Sequence, residues 1–397
     1  MIEPRSALAA GATTWIRTGT PLVLFVALGL PAGAIGVAWP PMRASLGAPL
    51  AGLGLLLAAF TAAYFVASAG SGALRTRLGT AVLLASGCGL AAAGLLGLGL
   101  ATGWWMVPVV TLLLGGGSGL IDAAANAHTS LNRGVRFMGW LHASWAVGAA
   151  LGPLVVVTSI GATGSWRGSF VAMAAAFLAV GLLVGYRRQD WIDTGPDMDR
   201  PFPVVVVQRS SRRRALVLLI GLFVLGAGLE GTAGDWCYIQ LTAGRSLSAA
   251  LAGLGASLFW AGLAGGRVAM GLFGNRIALD RLLDISVGVS ALGALAFWLT
   301  PPPVAALIAL PILGAAVSVI FPLLLSITPT RVGTEMTSRA VGYELAAGTL
   351  GGGGLPALTG LMLQAAGLLT LGPLLTVFAA GLLVMHLVSR LTPTRAD

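Results

Sequence analysis

Twelve stretches of roughly 20 apolar residues follow one another along this chain, and that rhythm limits what it can fold into. A helix of that length spans the ~30 Å hydrocarbon core of a bilayer. Inside lipid every backbone N–H and C=O must find a partner within the protein, so only helices or closed barrels cross it. The runs are too long and continuous for barrel strands, whose apolar positions alternate. Charged residues make up 9% of the chain and hydrophobic ones 57%, against about 25% charged in soluble domains. The fold class is therefore an all-α polytopic membrane protein. The twelve predicted spans fall near 20–42, 48–72, 79–101, 104–131, 137–159, 165–186, 214–240, 247–272, 280–300, 303–327, 336–364 and 368–391. The first is expected to stay as a span, because it lacks the short core and small-residue cleavage site of a removed signal peptide.

A net charge of +10 would suggest nucleic acid in a soluble protein. Here the basic residues, all arginines, follow the alternation of the spans instead. Arg43, Arg167 and Arg245 fall at one membrane face and Arg267 falls within a span. The rest collect at the opposite face, seven of them in the polar stretch 187–213 and its edge at Arg214. Positive charge marks the cytoplasmic side, so both termini are expected inside and no nucleic-acid partner is expected. Cys88 and Cys237 lie in apolar segments, so neither a disulfide nor a metal site is expected. No GxxxxGK[ST] motif that would bind a nucleotide, no HExxH and no Cys/His cluster is present, which leaves no cofactor to predict.

The chain also repeats. Gly72-Ala-Leu-Arg-Thr-Arg77 closes the second span and Gly271-Leu-Phe-Gly-Asn-Arg276 closes the eighth, an offset of 199 residues. The same offset carries Gly115 onto Gly314 and Gly152 onto Gly351. Three units follow: an N-terminal six-helix bundle over 1–186, a cytoplasmic linker over 187–213, and a C-terminal six-helix bundle over 214–397. Duplicated bundles of this kind suit a carrier that holds its substrate between halves near the midplane.

Few ionisable groups remain in the spans, and each costs about 2.5–3.5 kcal/mol at a helix centre. Asp122 lies about two-thirds of the way through the fourth span, with Asn126 one turn later on the same face. His142 sits as far past the following turn as Asp122 sits before it, so an antiparallel hairpin would bring them level, with Trp145 beside them. A carboxylate, amide, imidazole and indole at one depth could hold a polar solute and a proton; alternatively, Asp122 pairs with His142 and only ties two helices together. Glu230 stands among glycines in the seventh span, as a functional carboxylate or a structural pair. Asp235 is expected near the outer end, as a gate residue or a wetted helix end. The offset maps it onto Gly36. Glu344 is expected either to function or to snorkel to the cytoplasmic interface. Arg77, Arg267 and Arg276 are expected to brace or gate the cytoplasmic side.

Twelve spans, the half-length repeat and the G-x-x-x-x-R-x-G element at Gly72, Arg77 and Gly79 resemble the major facilitator superfamily, although Thr76 stands where the family pattern has an aspartate. GLIDAAANAHTSLNR, MGWLHASWAVGAALGP, GAGLEGTAGDW, LFWAGLAGGRVAMG and YELAAGTLGGGGLPALTG resemble its fucose-permease-like branch. Asp122, Ala124, Ala125 and Asn126 match that branch's acidic residue and Ala-Ala-Asn run. The acid that its sugar symporter carries late in the first helix is missing from GLPAGAIGVAWPPM. The resemblance implies the major facilitator fold and transport of a small polar solute, sugar or sugar-like, by proton symport. A monomer in the plasma (inner) membrane is expected, with solute, protons and the lipid bilayer as its partners. Proton-coupled efflux of a drug or hydrophobic metabolite is the alternative within transport. A membrane-embedded enzyme and a non-transporting sensor are the alternatives outside it.

Overall fold

In the computed structural model, residues 5–132, 134–192, 209–273 and 276–391 are described. The middle of the predicted linker, 193–208, lies outside them, as do Asn275 and the side chains of Arg5, Arg17, Arg133, Arg136, Arg200, Arg209, Arg339 and Arg395. Twelve long helical segments run in order: α1 (Arg5–Leu46), α2 (Gly52–Leu78), α3 (Thr80–Leu100), α4 (Met106–Asn132), α5 (Gly134–Thr163), α6 (Arg167–Tyr186), α7 (Arg209–Ile239), α8 (Ala249–Phe273), α9 (Leu279–Leu299), α10 (Pro302–Val332), α11 (Thr334–Ala366) and α12 (Leu371–Leu391). No strand occurs among the described residues. Eleven of the segments are long and apolar enough to cross a membrane. α11 has the length, but its GGGG run and its threonines and glutamine dilute its apolarity. α7 begins at Arg209, inside the stretch read from the sequence as linker, and runs on through a π-helical turn at Gln240–Gly244.

The two halves pack in the same pairs. α1 lies on α5 and α7 on α11; α2 lies on α4 and α8 on α10; α3 lies on α6 and α9 on α12. The 199-residue offset survives at atomic detail. A Cβ at Gly115 would overlap the carbonyl oxygen of Phe60, and one at Gly314 would overlap that of Phe259. Only glycine lets these helix backbones approach so closely, a device common between membrane helices.

Two of the three arginines at the sparsely charged face have a structural use. Arg167 donates to the carbonyls of Gly99 and Ala101 (3.0 and 2.6 Å) at the end of α3. Arg245 donates to Trp298 and Thr300 (2.7 and 3.1 Å) at the end of α9. The carbonyl positions correspond under the offset although the arginines do not. Each guanidinium neutralises the negative end of a helix and satisfies acceptors that no turn follows.

The halves meet along α5–α8, α2–α11 and α1–α7. Named close approaches gather toward the end where α1 turns into α2: Gln364 Oε1 accepts from the Ala51 backbone N–H (2.8 Å), Gly54 faces the Ala357 carbonyl, and Gly36 faces the Asp235 carbonyl.

Candidate functional site

The packing pairs separate what the linear count placed together. α4 rests on α2 and α3, and α5 on α1 and α8, so the α4–α5 connection does not form a packed hairpin. The glycines explain it: Gly115 and Gly119 admit the backbone of α2, while Gly148 and Gly152 admit that of α1. Asp122 and His142 consequently have different partners, and the alternative reading, a pair between them that ties the two helices together, is not formed.

Asp122 is held by α2 and by its own helix. The Tyr64 hydroxyl donates to Oδ2 at 2.5 Å and the Asn126 amide donates to Oδ1 at 3.0 Å. Tyr64 is in turn stacked on Phe60, with ring centroids 6.0 Å apart and 25° between planes. Sequence reasoning missed Tyr64, which lies 58 positions from Asp122. The available signal was Gly119, three residues before Asp122, whose missing Cβ makes room for the Tyr64 carbonyl. The Asn126 Oδ1 is buried and has no hydrogen-bond partner, leaving an acceptor beside the carboxylate.

A second group forms where the halves touch. Arg267 of α8 reaches toward Glu230 of α7 (3.6 Å), the Ser318 carbonyl of α10 (3.4 Å) and, across the seam, the His142 carbonyl of α5 (3.5 Å). Its guanidinium lies 5.7 Å from the Trp145 ring centroid, and Trp145 meets Trp260 edge to face at 5.5 Å. The repeat gives this cation a polar counterpart in the other half. Ser68, the counterpart of Arg267, donates at 3.2 Å to the Gly119 carbonyl, the counterpart of the Ser318 carbonyl. Where the N-terminal half closes a short local bond, the C-terminal half carries a longer side chain that keeps this carbonyl and continues into the other half. The Arg267 contacts all exceed the 2.7–2.9 Å of tight charge-assisted bonds. The Trp260 indole N–H is buried without an acceptor. Together these groups offer a cation, two indole rings, a donor and a carboxylate to a polar ligand.

The remaining predicted residues lie elsewhere. The His142 ring packs edge-on against Phe25 of α1, with centroids 5.8 Å apart. Asp235 is not a wetted helix end: it is 8% exposed, because α7 continues past it to Gly244 and α1 closes over it at Gly36, its counterpart under the offset. Glu344 does not snorkel. It is 0% exposed and faces Thr328 of α10, because α10 covers the side of α11 that carries it. Arg77 is exposed at the end of α2, and Arg276 is exposed beside the Phe273 ring (5.4 Å); neither reaches the two polar groups. Among the described residues, no cluster of three or more His, Cys, Asp or Glu side chains could hold a metal.

Twelve helices in two halves that share packing pairs already restrict the family, and the chain-wide comparison decides it. Residues 22–356 match the Major Facilitator Superfamily profile. The chain belongs to the major facilitator superfamily. It is thus a multi-pass membrane transporter. Similar solved structures include a point mutant of the nucleoside transporter NupG (TM-score 0.75, 14% identity, 95% of this chain and 99% of that one). The transporter FucP in its outward conformation matches at TM-score 0.64 and 15% identity, over 95% and 99% of the two chains. A bacterial homologue of the human lysosomal transporter Spinster, inward-facing and occupied, matches at 0.65 and 16%, over 96% and 94%. At these identities the likeness is one of fold. No curated protein matches the chain.

Proposed function

We propose that this superfamily member is a proton-coupled secondary transporter of a small polar solute, a sugar or sugar-like metabolite. The reading is carried by one observation: the Arg267–Glu230 pair of the C-terminal half lies against the His142 carbonyl and Trp145 of the N-terminal half. Charge placed at the seam between halves is broken and remade as they rock, which links solute contact to conformation. Asp122, with Tyr64 and Asn126, supplies the second polar group; Glu230 and Asp122 are the solute or proton carboxylates, and His142, Asp235 and Glu344 are further candidates. FucP is described as a fucose:proton symporter and NupG as a nucleoside transporter, so a hexose and a nucleoside are the first solutes to try. The arginine distribution supports cytoplasmic termini in the plasma membrane, and we take the protein to act as a monomer in the bilayer, without a cofactor or nucleic acid. With that orientation, the approaches at Ala51–Gln364 and Gly36–Asp235 close the outer end.

Efflux of a hydrophobic metabolite is the second reading, favoured by the aromatic rings of Phe60, Trp145 and Trp260 beside the two polar groups. Proteoliposomes given labelled fucose or uridine under pH gradients of each sign test both. Accumulation driven by an inward proton gradient supports symport; extrusion under the same gradient supports efflux; no gradient dependence with either solute overturns proton coupling.

A further inference from the structure

Three of the four carboxyl groups deep in the spans differ in the donors they are given. Asp122 receives hydrogen bonds from Tyr64 and Asn126 on separate oxygens. Glu230 faces the Arg267 guanidinium. Glu344 has neither arrangement. It is fully buried, and its hydrogen-bond partner is the Thr328 hydroxyl, 2.9 Å from Oε1 and 3.0 Å from Oε2. That hydroxyl also lies 2.9 Å from the Leu324 carbonyl oxygen, one turn back along α10.

A hydroxyl owns one hydrogen. Were Glu344 ionised, giving that hydrogen to Leu324 would leave a buried carboxylate with no donor, its oxygens facing the Thr328 lone pairs. Giving it to the carboxylate would leave a buried charge resting on one neutral hydrogen bond, with no cation bonded to it among the described residues, an arrangement that costs heavily. A neutral carboxyl uses both hydrogens and leaves no charge buried, only a neutral carbonyl oxygen without a donor. The Glu344 O–H donates to Thr328 Oγ, and the Thr328 O–H donates to Leu324 O, a back-bond open to threonine in a helix.

The charged groups on the helices around α11 do not alter this count. On α10, Arg331 pairs with Asp280 (3.0 Å). On α12, His386 and Arg390 are taken by Asp284. On α7, Glu230 faces Arg267, while Asp235 and Arg212–Arg214, like Arg75 and Arg77 on α2, make no bond to Glu344 among the described residues.

We propose that Glu344 is held as the neutral acid in this conformation and that its proton is loaded and unloaded during transport. The second half of this rests on the proton-coupled reading above. α11 is also the helix through which the C-terminal half touches α2, with Ala357 facing Gly54 and Gly353 facing Thr61. Rocking of the halves changes the flank of α11. When water reaches Glu344 its O–H bond breaks, the proton leaves to that water, and the Thr328 hydrogen turns to the carboxylate left behind; reprotonation from the other side restores the acid.

Infrared spectroscopy of the reconstituted protein at neutral pH, in H2O and D2O, reads the protonated-carboxyl C=O band without any solute. A component of that band is expected to vanish in Glu344→Gln, to survive in Asp122→Asn, and to move in Thr328→Val, which deletes its hydrogen-bond partner. A Glu344→Gln spectrum identical to wild type in this region overturns the assignment. In proteoliposomes with fucose or uridine, Glu344→Gln is expected to keep solute exchange while losing gradient-driven accumulation at least tenfold. Unchanged accumulation would make the proton structural and overturn its role in transport. If wild-type flux ignores the proton gradient, the coupled-transport reading falls and takes the transport role with it, while the infrared result still decides where the proton sits.

Discussion

At the scale of single residues, the sequence identified which side chains are costly to bury but not what they touch. Asp122 stands out in any reading of so apolar a chain, and Asn126 at i+4 follows from helical geometry. Tyr64 does not, because nothing local connects residues on different helices. Tyr64→Phe removes a buried hydrogen bond worth about 0.5–1.5 kcal/mol. If Asp122 contacts solute, affinity is expected to fall by up to about tenfold with the protein still folded, measured by solute-dependent thermal shift. Arg267→Ala leaves Glu230 facing the seam without its cation. Breaking a buried pair costs roughly 3–5 kcal/mol, and with side chains 15% and 18% exposed the loss belongs below that range. Melting temperature in detergent is expected to drop in Arg267→Ala and to recover substantially in the Arg267→Ala, Glu230→Gln double variant. Equal instability of the double variant would show that Arg267 acts through the Ser318 and His142 carbonyls instead.

At the scale of elements, helix positions were readable because apolar length and polar breaks depend only on local composition. Neighbours were not. The expectation that α4 and α5 pack as a hairpin failed because glycines decide which backbones can touch, and those of α4 and α5 accept α2 and α1. The repeat was the better guide: the offset that matched Gly115 to Gly314 also matches the carbonyls they meet. Enlarging either glycine is therefore expected to be comparably damaging. Gly115→Leu and Gly314→Leu, each forcing side-chain volume into a helix backbone, should cost more than the 1–3 kcal/mol of ordinary overpacking. Size-exclusion chromatography is expected to show loss of the monodisperse protein for both, whereas Gly116→Leu, facing open space, is expected to remain monodisperse. The arginine at the end of α9 offers a milder check. Arg245→Ala is expected to destabilise by about 1 kcal/mol, seen as a small drop in melting temperature, since it removes charge from a helix C-terminus.

At the scale of the whole molecule, the close approach of Ala51 and Gln364 gives the seam a handle. Cysteines at these two positions are expected to be joined by a short bifunctional thiol reagent and to stop solute flux, with single-cysteine variants unaffected. Flux that continues after complete cross-linking would mean that α2 and α11 need not part there during transport. Cys88 and Cys237 are buried and do not compete for the reagent. The sequence by itself determined the class, the number of helices and the internal duplication. These follow from apolar run length, from charge alternation and from a fixed offset, all of which are properties of order along the chain. Only the tertiary structure decided the partners: Tyr64 for Asp122, the opposite half for Arg267, and a lone threonine for Glu344. The reason is physical. A span's depth can be counted from its ends, but the face it turns inward depends on which helix lies against it, and in a chain apolar on nearly every side that choice is made by close packing at glycines rather than by any periodicity in the sequence.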